Sequence, residues 1–138
     1  MDIVKDDEWG LYPHFTRDEM KCKHTGFCEM THGMMDALEY IRGKYGKPMI
    51  ISSGYRDISH PVERNKPHPG EHTFGMAADI LVHGHDALVM ISLAVSAGIN
   101  RIGVSQKGDM EGRFLHLGIG DKDYSIAGGR FPVGLWSY

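Results

Sequence analysis

Two short apolar segments each carry a polar group that an apolar strand cannot bury alone. In EHTFGMAADI (71–80), Asp79 lies among Ala77, Ala78, Ile80 and Leu81; in RFLHLGI (113–119), His116 lies among Phe114, Leu115 and Leu117. A carboxylate in such a strand costs several kcal/mol unless something pairs with it, and a metal ion is the usual solution. With His72 seven residues before Asp79, the two segments supply two imidazoles and one carboxylate. That set leaves a fourth tetrahedral position open, the layout of a catalytic zinc rather than a structural one. For either residue alone, a satisfied core histidine or an unrelated buried ion pair is the simpler account. Together the segments point to metal.

The chain has 138 residues, enough for one compact domain with an adequate core, and the expectation is one domain over 1–138. A formal net charge of -3 points to neither nucleic acid nor an anionic membrane surface. No apolar run is long enough to span a bilayer. The start, MDIVKDDEWG, is acidic and lacks the apolar stretch of a signal peptide, so the chain is expected to be made in the cytoplasm. Cys22 and Cys28 do not make a disulfide framework; they fit free thiols, a small-loop disulfide or ligands.

Periodicity and punctuation predict an α+β fold, helices first and then a mostly antiparallel sheet. HFTRDEM holds a capping box, with Thr16 as N-cap and Glu19 three residues on. Met34, Leu38, Ile41 and Tyr45 predict a helix from about Gly33 to Tyr45, stopped by Gly46 and Pro48. Strands are expected at 49–53, in MAADILV (76–82), in RIGVS (101–105) and in RFLHLGI, with an apolar helix over HDALVMISLAVSAG (85–98) that Asp86 can cap. The stretch from Gly54 to His72 reads as a long loop, and loops of that length are usually functional. The tail from Asp121 to Tyr138 reads as irregular; by default Trp136 and Tyr138 bury the C-terminus, and the alternative is that they close one wall of the cleft.

FTRDEM (15–20), CKHTG (22–26), KPMIISSGYR (47–56), HPVERNK (60–66), H-x6-D (72–79), FLH (114–116) and WSY (136–138) occur in that order. This ordered set resembles the zinc D-alanyl-D-alanine carboxypeptidase and L-alanyl-D-glutamate endopeptidase family, whose fold is shared with hedgehog signalling domains. The small phage endolysin-like members are the most similar. The resemblance implies a hedgehog/DD-peptidase-like fold, a small sheet with flanking helices, and Zn2+ held by His72, Asp79 and His116. It implies a monomeric peptidase that cuts a peptidoglycan stem-peptide amide and acts on the bacterial cell wall. Zinc can bring the pKa of a coordinated water to about 7, which makes water a nucleophile at neutral pH. The family arginine of SGYR, here Arg56, polarises the carbonyl oxygen or holds a carboxylate, roles that suit a planar, permanently charged fork.

Two departures from the family pattern bear on mechanism. Gly70 stands where many relatives have Ser. The proton acceptor is also displaced: Arg113 stands where carboxypeptidase relatives have an acid, and Gly118 where phage-type relatives often have Asp. Asp109, Glu111, Asp121 and Asp123 lie nearby; Glu111 is chosen, because a turn beside the metal strand can carry it to the water. The alternative is a hedgehog-like zinc module without activity, serving in binding or virion structure. A second, structural zinc on Cys22, His24, Cys28 and His32 is the lesser expectation, since C-x-H-x3-C-x3-H lacks the long middle gap of zinc fingers. His60, Glu63 and Lys66 fit a loop-stabilising ion pair; His68, His83 and His85 have no assigned role.

Overall fold

The computed structural model describes residues 2–120 and 131–138. It is an α+β structure with a five-stranded sheet in the order β1-β2-β4-β3-β5. The strands are β1 (Ile50–Ser53), β2 (Ala77–Leu81), β3 (Arg101–Ser105), β4 (Phe114–Gly118) and β5 (Gly134–Ser137), and the helices are α1 (Arg17–Met20), α2 (His32–Tyr45) and α3 (Gly84–Ser96). The pairs β1–β2, β2–β4 and β4–β3 are antiparallel, and β3–β5 is parallel.

The helix boundaries follow local chemistry. The Thr16 hydroxyl accepts from Glu19 N, and the Glu19 carboxylate accepts from Thr16 N, so the expected capping box starts α1. Thr31 caps α2 through a hydrogen bond from Met34 N, and Gly46, at φ 75°, ends it. Asp86 does not cap α3. That helix begins one turn earlier than a cap at Asp86 would allow, with His83 at the N-cap, and Asp86 pairs with Lys47 Nζ at 3.0 Å.

Alternation divides the sheet into two faces. Ala78 and Ile80 of β2, Leu115 and Leu117 of β4, and Ile102 of β3 join one buried cluster with Met34, Leu38 and Ile41 of α2 and Ala87, Met90 and Ala94 of α3. Fully burying a Leu or Ile side chain contributes about 1.5–3 kcal/mol, so this face fixes the register. The opposite face carries Asp79, His116 and Arg101. The register sets Ser53, Asp79, His116, Gly103 and Trp136 side by side, one residue from each strand.

The tail departs from expectation, because β5 is a strand where an irregular segment was predicted. Its residues alternate too briefly to signal a strand, and pairing with β3 supplies the order. A side chain at Gly103 would collide with Trp136, since a Cβ there would lie 2.7 Å from the indole ring. Gly103→Val is expected to dislodge the indole and destabilise the protein by about 1–3 kcal/mol, the usual cost of overpacking. Urea unfolding monitored by tryptophan fluorescence checks this.

Candidate metal centre

The site begins with the Asp79–His116 register pair in β2 and β4. Asp79 Oδ1 lies 3.0 Å from His116 Nδ1 and 3.4 Å from His72 Nε2. His72 arrives from a 3-10 turn, Glu71–Phe74, that runs directly into β2. Both histidines are 5% exposed, so neither ring draws much on solvent for partners. One donor atom from each of the three residues lies within 4.8 Å of the other two.

The ring nitrogens show how this cluster can hold an ion. His72 Nδ1 meets the Gly54 carbonyl oxygen at 2.7 Å. A carbonyl only accepts, so Nδ1 carries the proton and Nε2 presents a lone pair. That Nε2 is buried without a hydrogen-bond partner, and it points at Asp79. His116 is held the same way on its far side, where Nε2 meets Glu71 Oε1. Its Nδ1 faces Asp79 and His72. Metal-ligating histidines almost always donate their second N–H to a carbonyl or carboxylate, and both rings do so here. The donor set is therefore His72 Nε2, Asp79 Oδ1 and His116 Nδ1, a combination suited to zinc.

Burial alone would raise the Asp79 carboxyl, but the hydrogen bond from His116 and the two imidazoles packed against it hold it well below the usual carboxylate range. Burial works against the charged form of His116, yet its contacts with Asp79 and Glu71 push its pKa up. Asp79 is thus an anion ready to ligate, and a metal taking His116 Nδ1 would displace any proton held there.

Arg56 lines the same cleft. Its Nε donates to Ser53 Oγ at 3.0 Å, Nη1 to Glu63 Oε2 at 3.1 Å and Nη2 to Asp79 Oδ2 at 3.4 Å. Arg56 N also donates to the His72 carbonyl, tying the SGYR turn to the first histidine. Glu63, whose side chain is fully buried, gathers Arg56, Lys66 Nζ, Gly70 N and Thr73 Oγ1. The expected Glu63–Lys66 ion pair is present at 2.9 Å, but Glu63 also fixes the cleft arginine. The cleft encloses about 700 Å³, and Lys66, His68, Arg101, Phe114, Trp136 and Tyr138 contribute to its walls. Of the two roles open to Trp136 and Tyr138, the alternative holds and the default does not: they form one wall of the cleft, and Tyr138 is half exposed.

Glu111 is not brought to this cluster. It sits on an exposed 3-10 turn, Met110–Gly112, outside the residues that line the cleft, with Asp109 at the turn's N-cap. Asp121 and Asp123 lie outside the described residues. Sequence reasoning passed over Glu71 and Arg101, which the fold places beside His116; the only signal was an acid next to His72. The cysteine loop forms no second centre among the described residues. Cys22 and Cys28 are free thiols, His32 is engaged by Tyr12 and Glu8, and His24 packs against the His60 ring.

No curated protein matches the chain. The family model described as Peptidase M15 matches residues 13–117, a span that includes Arg56, His72, Asp79 and His116 and stops short of Gly118 and β5.

One zinc per chain is expected by elemental analysis. His72→Ala, Asp79→Ala and His116→Ala should each abolish it, and a Cys22→Ser/Cys28→Ser double variant should keep it. Full retention in two of the three alanine variants would rule the site out.

Proposed function

Because the chain belongs to the peptidase M15 family, we propose that it is a zinc-dependent peptidase of peptidoglycan, hydrolysing a stem-peptide amide in the manner of a phage endolysin. The whole chain, 1–138, would serve as one catalytic domain, acting as a monomer on the bacterial cell wall after synthesis in the cytoplasm. No helix among the described residues is long and apolar enough to cross a membrane. The observation that carries the reading is the buried His72–Asp79–His116 cluster, opening with Arg56 onto one cleft.

His72, Asp79 and His116 would hold the zinc, which supplies Lewis-acid activation of water for attack on an amide. The chain's own residues do the rest. The cations Arg56, Lys66 and Arg101 line the cleft beside the acids Glu71 and Asp79, so a bound zinc would supply the excess positive charge that favours a substrate carrying carboxylates, as stem peptides do. Glu63 and Ser53 hold the Arg56 guanidinium against the metal cluster, where its charge can stabilise an oxygen that becomes negative during attack. Phe114, Trp136 and Tyr138 offer apolar contact to the peptide backbone and its small side chains.

Proton transfer is assigned to Glu111, whose turn lies outside the cleft and would have to move toward it for the carboxylate to reach the water. A second reading, a zinc-holding module without turnover, draws support from Arg113 and Gly118, which place no acid on β4 beside His116.

Mass spectrometry of purified muropeptides after incubation with the zinc-loaded protein separates the two readings. A cleaved stem peptide is expected, and intact muropeptides across pH 5–9 with zinc bound would establish the module. Glu111→Gln is expected to lower turnover by about 10²–10⁴-fold with zinc retained; unchanged turnover would remove Glu111 from the mechanism. Arg56→Ala is expected to lower kcat by roughly two orders of magnitude with zinc and fold intact. A raised KM with constant kcat would instead assign Arg56 to carboxylate binding.

A further inference from the structure

Glu71 is 4% exposed and lies against two groups of the sheet, His116 and Arg101. Oε1 accepts from His116 Nε2 and, at 3.0 Å, from Arg101 Nε. Oε2 is buried without a hydrogen-bond partner. A carboxylate this deeply enclosed is costly unless it is paired and hydrogen-bonded, and only one of its two oxygens is.

The space it occupies belongs to another residue. Gly118 follows His116 by two positions on β4, so both present the same face of the sheet. A Cβ at Gly118 would lie 2.4 Å from Glu71 Oε2 and 2.7 Å from its Cδ. The carboxylate therefore sits where a side chain at 118 would begin. Arg101 is the register partner of Gly118 across β3–β4. It is held by the Pro132 carbonyl and by the Trp136 ring, 4.8 Å from its guanidinium carbon. Arg101 in turn fixes Glu71.

We propose that Glu71 is a positioning residue for the metal centre. Seated in the space Gly118 leaves open and anchored by Arg101, it holds His116 with Nε2–H turned away and Nδ1 turned toward His72 and Asp79. The acid reaches His116 from the 3-10 turn before β2 and not from β4 itself, so Glu71 and Gly118 depend on one another. A side chain at 118 would expel the carboxylate, and loss of the carboxylate would free the His116 ring. This inference rests on the zinc-peptidase reading above.

The test uses the full chain, zinc titrated against a chromophoric chelator, and 15N spectra of the zinc-loaded protein that resolve the His116 Nε2–H. Glu71→Ala and Gly118→Ala are each expected to weaken zinc binding by roughly 10–100-fold, the usual effect of losing such a partner. Each should also shift the Nε2–H signal from its hydrogen-bonded position. The Glu71→Ala/Gly118→Asp double variant returns a carboxylate to the same space and should recover both. If Glu71→Ala fails to fold, Gly118→Ala carries the test, because its added methyl meets only a side-chain end. Wild-type affinity and an unchanged Nε2–H signal in a folded single variant would overturn the role of Glu71 alone. Absence of zinc binding by the wild type would overturn both this role and the zinc-peptidase reading.

Discussion

The antiparallel pairing of β2 with β4 sets Asp79 opposite His116, and the rest of the site is arranged to make that pair tolerable. A buried carboxylate and a buried imidazole stabilise one another only when their remaining polar atoms are also satisfied. Arg56 takes the second oxygen of Asp79, Glu71 takes the second nitrogen of His116, and the Gly54 carbonyl takes the second nitrogen of His72. The two side chains among these have their own support, in Glu63 for Arg56 and in Arg101 for Glu71. The nitrogen left without a partner, His72 Nε2, faces the centre of the cluster.

Glycine determines where these supports fit. At Gly103 the missing side chain admits the Trp136 ring, which lies 5.2 Å from the His116 ring. At Gly118 it admits Glu71. At Gly70 a Cβ would come within 3.2 Å of Glu63 Oε1, and the backbone N–H of that residue donates to the same oxygen. At 70 and 118 this chain has a glycine with a glutamate from elsewhere filling the space.

The sheet and the metal cluster were legible because both are written in local pattern. AADIL and FLHLG alternate with period two, so the polar member of each falls on the face away from the core, and burial of the remainder fixes which face that is. The buried acids were not legible in this way. Glu63 and Glu71 lie in polar, loop-like sequence, where a glutamate normally faces solvent; only the folded chain brings Arg56 and Arg101 against them. Glu111 drew attention by closeness in sequence to His116, yet the turn that holds it lies outside the cleft. β5 was missed because its four residues acquire their order from β3. Trp136 was read as a terminal plug for the same reason, since its position against Arg101 and His116 exists only once that pairing forms.

His72 Nε2, Asp79 Oδ1 and His116 Nδ1 are expected to converge on one zinc ion. A crystal structure of the zinc-loaded protein, with anomalous differences collected at the zinc edge, tests it most directly. One peak among these three atoms, with the opposite ring nitrogens still on the Gly54 carbonyl and the Glu71 carboxylate, is the predicted result. A peak at Cys22 and Cys28, or a His116 ring turned to ligate through Nε2, would contradict it.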